Sequence, residues 1–152
     1  MNGKHLILHV EDDPNDVLLV ELAFKKIGPS AGLQVVNNGE EAIKYLAGAE
    51  VNGGGQKNPV PSLVLLDVKL PRCSGLEVLS WLRGRDDLRR IPVVMLTSSN
   101  QPSDVNRAYD LGANSYLVKP SALDDLVEML RKVTVYWLDM NVKPSVQGDD
   151  VT

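Results

Sequence analysis

Residues 63–67 are Leu-Val-Leu-Leu-Asp, four consecutive apolar residues followed directly by a carboxylate. An apolar run without polar alternation is typical of a parallel strand that helices cover on both faces. On either side of this run, four more short apolar runs predict strands at residues 6–10, 33–37, 91–96 and 116–118. Apolar residues at helical spacing predict helices at residues 15–27, 39–47, 74–83, 103–111 and from 121 to about 140.

The alternation of strands and helices decides the fold class. Short connections from strand to helix to strand imply right-handed crossovers and parallel pairing. The sequence therefore predicts an α/β fold, a doubly wound five-stranded parallel sheet with helices on both faces. Residues 48–59 include three consecutive glycines and are predicted to form a flexible loop. Ser121 is expected to cap the last helix, with Asp124 and Asp125 in its first turn. His9, in the first predicted strand, is expected to be a hydrogen-bonded core histidine.

The composition is that of one soluble domain. The 152 residues are 43% hydrophobic and 24% charged, near the average for soluble proteins. The formal net charge of -4 disfavours nucleic acid as a partner, because phosphate contacts need clustered Lys and Arg. No apolar run approaches the ~20 residues of a membrane-spanning helix, and the N-terminus lacks a signal-peptide layout. We therefore expect a cytoplasmic protein without a membrane partner, which the single cysteine, Cys73, also favours.

Four polar residues lie at the carboxyl ends of predicted strands: Asp12, Asp67, Thr97 and Lys119. The carboxyl ends of parallel strands meet at one edge of the sheet, where α/β proteins bind their ligands. Each residue alone has an ordinary explanation, since a strand-ending carboxylate is often a turn former, a Thr a cap and a Lys a solvated charge. Their joint placement predicts a functional site.

The chemistry of these residues indicates phosphoryl transfer. Neighbouring carboxylates repel one another unless a cation lies among them, and Mg²⁺ favours one or two carboxylates together with water and phosphate oxygens. Asp12 and Asp67 are the candidate direct metal ligands, with Glu11 as an outer or water-mediated partner. An Asp carboxylate can attack phosphorus to give an acyl phosphate, and Lys119 and Thr97 can supply a charge and a hydroxyl to the phosphoryl oxygens.

The motifs around these residues strongly resemble the receiver domain of two-component response regulators. They are Val10-Glu11-Asp12-Asp13, Leu65-Leu66-Asp67 with Leu70-Pro71 and Gly75, Leu96-Thr97-Ser98, and Tyr116-Leu117-Val118-Lys119-Pro120. The resemblance covers nearly the whole chain and implies a flavodoxin-like receiver fold with strand order 2-1-3-4-5. It implies a single-domain regulator, with residues 1–140 as the receiver domain and residues 141–152 as a flexible tail. Output is then expected to pass through protein contacts.

The resemblance also implies roles for individual residues. Asp67 would be the phosphoacceptor, Glu11 and Asp12 the acidic pair, and Thr97 and Lys119 the contacts of the phosphoryl group.

Three further features are implied by the resemblance. They are a switch role for the aromatic ring of Tyr116, a metal contact from the backbone carbonyl of Lys69, and a cis peptide bond between Lys119 and Pro120. The ammonium of Lys69, two residues after Asp67, could also reach over the phosphoryl group and prolong the signal. A solvated Lys69 that does not touch the phosphoryl group is the alternative.

Within the family, the chain looks most like the stand-alone regulators partnered with phytochrome-type photoreceptor kinases. The similarity is carried by residues 11–16, by the long loop before Asp67 and by Tyr136-Trp137-Leu138. This predicts a sensor histidine kinase as partner. In the first helix, the kinase would dock on Val17, Leu18 and Leu22, which are expected to face outward. Surplus core residues are the alternative explanation of that patch.

The last helix has two apolar lines at helical spacing. Leu126, Leu130, Val133 and Trp137 are expected to face the core. A second line is expected to form a homodimer interface: Met129, Tyr136 and Met140. An amphipathic end that lies over its own sheet is the alternative.

Two other classes of function are open from the sequence. A phosphatase with an Asp nucleophile, of the haloacid dehalogenase type, would carry a second Asp two positions after the nucleophile, where this chain has Lys69. The second class is a receiver that is never phosphorylated and acts only as a binding module. Every residue that phosphorylation needs is, however, present.

Overall fold

The predicted parallel sheet is confirmed in the computed structural model, which describes residues 5–28, 31–49 and 58–145. Within these residues five strands pair in parallel: β1 (His5–Val10), β2 (Ala31–Val36), β3 (Leu63–Leu66), β4 (Val93–Thr97) and β5 (Ser115–Val118). Their order is β2-β1-β3-β4-β5, as the resemblance implied. β3 lies at the centre with all its residues buried, which explains its continuous apolar sequence.

Two layers of helices cover the sheet. The described part of the chain has the helices α1 (Pro14–Ile27), α2 (Gly39–Ala47), α3 (Gly75–Arg83), α4 (Pro102–Asp110) and α5 (Leu123–Thr134). Residues of α1 and α5 pack on the face that carries Ile7 and Leu65. Residues of α2, α3 and α4 pack on the other face, with Leu8 and Leu66. No helix among the described residues is long and apolar enough to cross a membrane.

Local caps fix where the helices begin beside the carboxyl edge of the sheet. The Asp13 side chain accepts a hydrogen bond from the backbone N–H of Asn15 at 2.9 Å, and Pro14 is in the first turn of α1. Ser74 and Glu77 form a capping box at the start of α3. These caps stabilise the turns that follow β1 and β3, and those turns carry the acidic residues of the predicted site.

The start of the last helix differs from the sequence prediction. Helix α5 begins at Leu123 with Ala122 at its N-cap and no side-chain cap, so the predicted Ser121 cap is wrong. The reason is that the Leu126 backbone N–H donates to the Ala122 carbonyl, which starts the helix one residue later. The acidic first turn with Asp124 and Asp125 is present as predicted.

The end of the last helix is a π-helical segment, Val135–Met140, rather than a continued α-helix. In this wider turn the Asn141 backbone N–H donates to the Tyr136 carbonyl at 2.7 Å. The wider turn shifts the core-facing line by one residue, so Leu138 is buried, whereas Trp137 is only half-buried. The other three predicted core residues of this helix are buried: Leu126, Leu130 and Val133.

The peptide bond between Lys119 and Pro120 is trans, because the described residues contain no cis peptide bond. The predicted cis bond is therefore wrong. Even before proline, the trans isomer is favoured by about 0.5–1 kcal/mol. The trans chain already brings the Lys119 ammonium to the acidic residues of the site.

The predicted loop and tail are described only in part. Residues 50–57 of the loop and 146–152 of the tail lie outside the described residues. At the ends of the loop, the backbone N–H of Asn58 donates to the Gly48 carbonyl at 2.9 Å. In the tail, the guanidinium of Arg90 donates to the Ser145 carbonyl at 3.1 Å.

Candidate functional site

The four polar residues at the strand ends lie at one edge of the sheet. Asp12 and Asp67 follow β1 and β3, Thr97 is the last residue of β4, and Lys119 follows β5. Strands β1 and β3 are paired up to their last residues, so the acids after them are neighbours. Strands β4 and β5 are also paired to their ends, and the Lys119 backbone N–H donates to the Thr97 carbonyl at 2.8 Å.

Glu11, Asp12 and Asp67 form an acidic cluster at this edge. One carboxylate oxygen from each residue lies within 4.8 Å of the other two. Glu11 and Asp67 are buried and Asp12 is exposed. Three carboxylates at this spacing fit a hard divalent cation with oxygen ligands, and the exposed Asp12 leaves one side of the cluster open to water ligands. The arrangement could therefore hold Mg²⁺.

Glu11 is the most deeply buried acid of the cluster, with 1% of its surface exposed. Burial raises its pKa to about 7, because the hydrogen bond from Lys119 offsets only part of the cost of burying the charge, and nearby Asp67 raises it further. Its second oxygen accepts a hydrogen bond from the Asp13 backbone N–H at 3.1 Å. A cation among these carboxylates would favour the charged form of Glu11.

Lys119 connects the cluster to the rest of the site. Its ammonium lies 2.5 Å from Glu11 Oε1, 2.8 Å from Asp16 Oδ2 and 3.2 Å from Asp67 Oδ2. Burial alone would lower the pKa of Lys119, but the hydrogen bonds to Asp16 and Glu11 outweigh it and raise the pKa above its ordinary value. The ammonium is therefore a fixed positive charge beside the candidate phosphoacceptor.

Asp16 is a site residue that the sequence analysis did not identify. The sequence signal for the site was a set of polar residues at strand ends, whereas Asp16 lies in the first turn of α1. One signal was available, because Asp16 begins the helical line of Leu19, Val20 and Ala23 that faces the sheet. A carboxylate on a sheet-facing line needs a partner, and Lys119 is that partner.

Thr97 and Tyr116 are linked through the loop after β4. The Thr97 hydroxyl oxygen accepts from the Ser99 backbone N–H at 3.3 Å, and the Tyr116 hydroxyl donates to the Ser99 carbonyl at 2.9 Å. Burial raises the pKa of Tyr116, which keeps its hydroxyl protonated as a donor. Both residues predicted for the switch therefore contact the same short segment.

Lys69 is held on the side of the site near α4. Its backbone N–H donates to Asp67 Oδ1 at 3.4 Å, while its ammonium lies 3.9 Å from Asp104 Oδ2. Ser99 also donates to that Asp104 oxygen, at 2.6 Å. The Lys69 ammonium thus lies beside Asp104 rather than over Asp67.

A cleft of about 480 Å³ opens beside Lys69 and Asp12. Its lining residues are Asp12, Val68, Lys69, Leu70, Pro71, Ser74, Leu76, Asp104 and Arg107.

His9 is buried and makes no hydrogen bond to any described residue, so the prediction of a hydrogen-bonded core histidine is wrong. Only 1% of the residue is exposed, and neither ring nitrogen has a partner among the described residues. The strand register places it between Val35 and Leu65, whose side chains offer no polar atom. Burial lowers the pKa of His9 to about 4, with Lys119 adding to this effect and Asp67 opposing it. His9 is therefore neutral at pH 7.

A pH dependence of stability follows from His9. In the unfolded chain His9 has its ordinary pKa of 6.5, so it binds a proton below that pH. In the folded protein it stays neutral until about pH 4. Acidification therefore costs stability between these pH values, by about 3 kcal/mol in full. A His9→Leu variant has no histidine to protonate at this position and should not lose stability in this way. Its free energy of unfolding, relative to that of the native chain, should therefore increase as the pH falls from 7 to 4.

Urea unfolding at a series of pH values measures this effect. Glu11 titrates in the same pH range, but its effect on stability has the opposite sign. Its pKa is raised in the folded state, so acidification favours folding through Glu11. Glu11 is present in both chains, so the difference between them isolates His9. A difference that stays constant between pH 7 and pH 4 would contradict the assignment.

The residues predicted as partner surfaces differ in exposure. On α1, Leu18 is 53% and Leu22 38% exposed, while Val17 is half-buried. At the end of the chain, Tyr136 and Met140 are exposed, and Met129 is half-buried. Apolar side chains are therefore open to a partner at both places.

Comparison with known proteins gives a family match and similar structures. The family described as the response regulator receiver domain matches residues 7–131. A probable methanogenesis regulatory protein of Methanothrix harundinacea, FilR2, is 40% identical over 139 residues, which are 91% of this chain and 87% of that protein. The response regulator Rcp1 of Synechocystis sp. is 36% identical over 144 residues, 95% of this chain and 96% of Rcp1.

Two crystal structures resemble the fold closely. The Mn²⁺-bound form of Rcp1 superposes with a TM-score of 0.81, covering 93% of this chain and 99% of the other at 36% identity. The phosphorylated cyanobacterial phytochrome response regulator RcpA superposes with a TM-score of 0.82. The superposition covers 93% of this chain and 99% of RcpA, at 32% sequence identity.

Proposed function

This chain belongs to the response regulator receiver domain family, and from that premise we propose that it is the phosphoacceptor switch of a two-component phosphorelay. Asp67 accepts a phosphoryl group, and the protein signals by changing its contacts with other proteins. The observation that carries the proposal is the contact of the Lys119 ammonium with both Asp67 and Glu11 beside a cluster of three carboxylates. A fixed positive charge next to a candidate nucleophile is what phosphoryl transfer needs.

In the proposed reaction, a carboxylate oxygen of Asp67 forms a bond to phosphorus while the bond from phosphorus to the donor breaks. The donor is the imidazole nitrogen of a phosphorylated kinase histidine, or the acetate oxygen of acetyl phosphate. Lys119 neutralises charge on the phosphoryl oxygens, and Thr97 donates its hydroxyl to them. When bound at Glu11, Asp12, Asp67 and the Lys69 carbonyl, Mg²⁺ would supply further charge neutralisation. The similarity to Rcp1, which has a Mn²⁺-bound crystal form, supports a divalent metal as the cofactor.

A switch mechanism follows from the contacts of Ser99. If the Thr97 hydroxyl turns to the phosphoryl group, it gives up its contact with the Ser99 backbone, and the same segment holds the Tyr116 hydroxyl. Tyr116 can then change position and alter the surface around α4 and β5. Phosphorylation would in this way become a change in protein contacts.

Incubation with acetyl phosphate and Mg²⁺, followed by intact mass measurement, tests the function. We expect the mass of one added phosphoryl group on the native chain and none on an Asp67→Asn variant. Equal labelling of both chains, or none of the native chain, would reject Asp67 as the acceptor.

The proposed donor is a sensor histidine kinase of the phytochrome type, which this chain would meet in the cytoplasm. The similarity to Rcp1 and to the phytochrome response regulator RcpA supports this choice. Exposed Leu18 and Leu22 on α1 offer an apolar surface close to Asp16 and the acceptor edge, suited to an apolar face of a kinase helix.

We expect Leu18→Glu to slow phosphotransfer from the kinase by at least about tenfold, since a buried charge at a docking contact costs more than 1.4 kcal/mol. Labelling by acetyl phosphate should be unchanged. Val142→Glu is the matched control, because Val142 is 91% exposed and lies outside the proposed surface. Loss of both reactions in Leu18→Glu would instead indicate damage to the site or the fold.

We also propose a symmetric homodimer through the last helix. Its exposed apolar residues are Val135, Tyr136 and Met140, beside half-buried Met129. Sedimentation at tens of micromolar should give a dimer for the native chain and a monomer for Met140→Glu. A monomeric native chain, with or without phosphorylation, would reject the interface.

A further inference from the structure

We propose that Asp16 is a positioning residue for the phosphorylation reaction: its carboxylate holds the Lys119 ammonium in place beside Asp67. This inference rests on the function proposed above and extends it to a residue on α1. Asp16 touches neither the acceptor nor a member of the acidic cluster in any described hydrogen bond, and so it acts only through Lys119.

The geometry of the contact supports a fixed ammonium. The distance from Lys119 Nζ to Asp16 Oδ2 is 2.8 Å, shorter than the 3.2 Å to Asp67 Oδ2. The side chain of Lys119 is 10% exposed and that of Asp16 27%. An ion pair with such limited access to water is screened much less than a surface pair, so it can orient the ammonium.

Asp16 differs from the other two partners of the ammonium in its chemical role. Glu11 and Asp67 belong to the cluster that fits a cation, and Asp67 is also the proposed acceptor. Asp16 is outside that cluster among the described residues. It is therefore the partner whose oxygen is not needed by the metal or the phosphoryl group, and it can hold Lys119 throughout the reaction.

The first turn of α1 gives Asp16 a rigid base. The turn is fixed by the Asp13 cap and by Pro14, and α1 is anchored in the core by buried Val20 and Phe24. A carboxylate in the first turn is also stabilised by the positive end of the helix. Lys119 follows β5 on the far side of the acceptor, so the pair connects α1 to the end of the sheet.

The test measures the rate of labelling by acetyl phosphate in Asp16→Asn. We expect the rate to fall by about tenfold, the effect of losing one charge-assisted hydrogen bond. Glu21→Gln is the matched control, because Glu21 is an exposed acid on the same helix, and its rate should equal that of the native chain. In a Lys119→Met background, adding Asp16→Asn should change the rate by less than about twofold, because the contact is already absent.

A second measurement does not depend on the reaction. The Nζ resonance of a hydrogen-bonded buried lysine is visible by ¹⁵N NMR, and Lys119→Met assigns it. We expect this resonance in the native chain and in Glu21→Gln, and its loss or exchange broadening in Asp16→Asn and Asp16→Ser. Asp16→Ser is the second variant in case the Asn variant folds poorly.

The outcomes separate the inference from the function on which it rests. If the native chain and Glu21→Gln are not labelled at all, the proposed function fails. If they are labelled, an unchanged rate in Asp16→Asn, an equal loss in the Lys119→Met background, or an unchanged Lys119 resonance would each overturn the role of Asp16. Slower labelling that disappears in the Lys119→Met background, together with the altered resonance, supports it.

Discussion

Replacing Lys119 with Met is expected to slow phosphorylation of Asp67 by acetyl phosphate by about 100- to 1,000-fold, the usual cost of removing one preorganised charge-stabilising group. The ammonium lies 3.2 Å from Asp67 Oδ2, where negative charge on the phosphoryl group must be stabilised. Methionine fills a similar volume without the charge. Buried Glu11 also loses its partner, which further favours its protonated form.

The rate is measured by intact mass over time in acetyl phosphate and Mg²⁺. Lys132→Met is the control, since Lys132 is an exposed lysine on α5. It removes the same charge from the chain at a distance from the site. A Lys119→Met rate equal to that of Lys132→Met would show that the ammonium does not assist the transfer.

The second large effect is expected from Gly75→Ala at the start of α3. An added Cβ would lie 1.8 Å from the Asp67 carbonyl oxygen, and the Gly75 backbone N–H donates to the Val68 carbonyl at 2.9 Å. The clash is with backbone, so the helix start or the acceptor turn must move. We expect a loss of about 3 kcal/mol or more in the free energy of unfolding, and slower labelling because Asp67 is displaced.

Gly84→Ala is the matched control at the other end of α3. There the nearest atoms to an added Cβ are the Trp81 and Ser80 carbonyl oxygens at 3.5 and 3.6 Å, an ordinary contact. Its stability in urea should lie within about 0.5 kcal/mol of the native chain. Equal stability of the two variants would contradict the account of the turn after β3.

Much of the fold could be predicted from the sequence because its signals are local. The run at residues 63–66 is apolar throughout because β3 is buried on both faces. Helix α2 was predicted at the bounds it has, residues 39–47, because Asn38 and Gly48 mark its two ends. The convergence of Asp12, Asp67 and Lys119 followed from strand ends meeting at one edge, a property of every parallel sheet.

The features that could not be predicted depend on contacts between distant residues. Asp16 and Lys119 are 103 residues apart in sequence, and their ion pair exists only once the sheet has formed and brings the start of α1 and the residue after β5 to the same edge. His9 has no hydrogen-bond partner in the described part of the chain because of its neighbours in β2 and β3, which its own strand sequence does not specify. The π-helical segment buries Leu138 more deeply than the predicted Trp137, which packs half-buried against the same core, and a period of 3.6 cannot indicate this shift.

The most direct test of the central claim locates the phosphoryl group on the chain. Borohydride reduces an aspartyl phosphate to homoserine and leaves free carboxylates unchanged, so chemical trapping followed by peptide mass mapping identifies the acceptor. After incubation with acetyl phosphate and Mg²⁺, we expect homoserine at position 67 of the native chain and at no position in Asp67→Asn. Homoserine at another aspartate, or a labelled chain without homoserine, would contradict Asp67 as the phosphoacceptor.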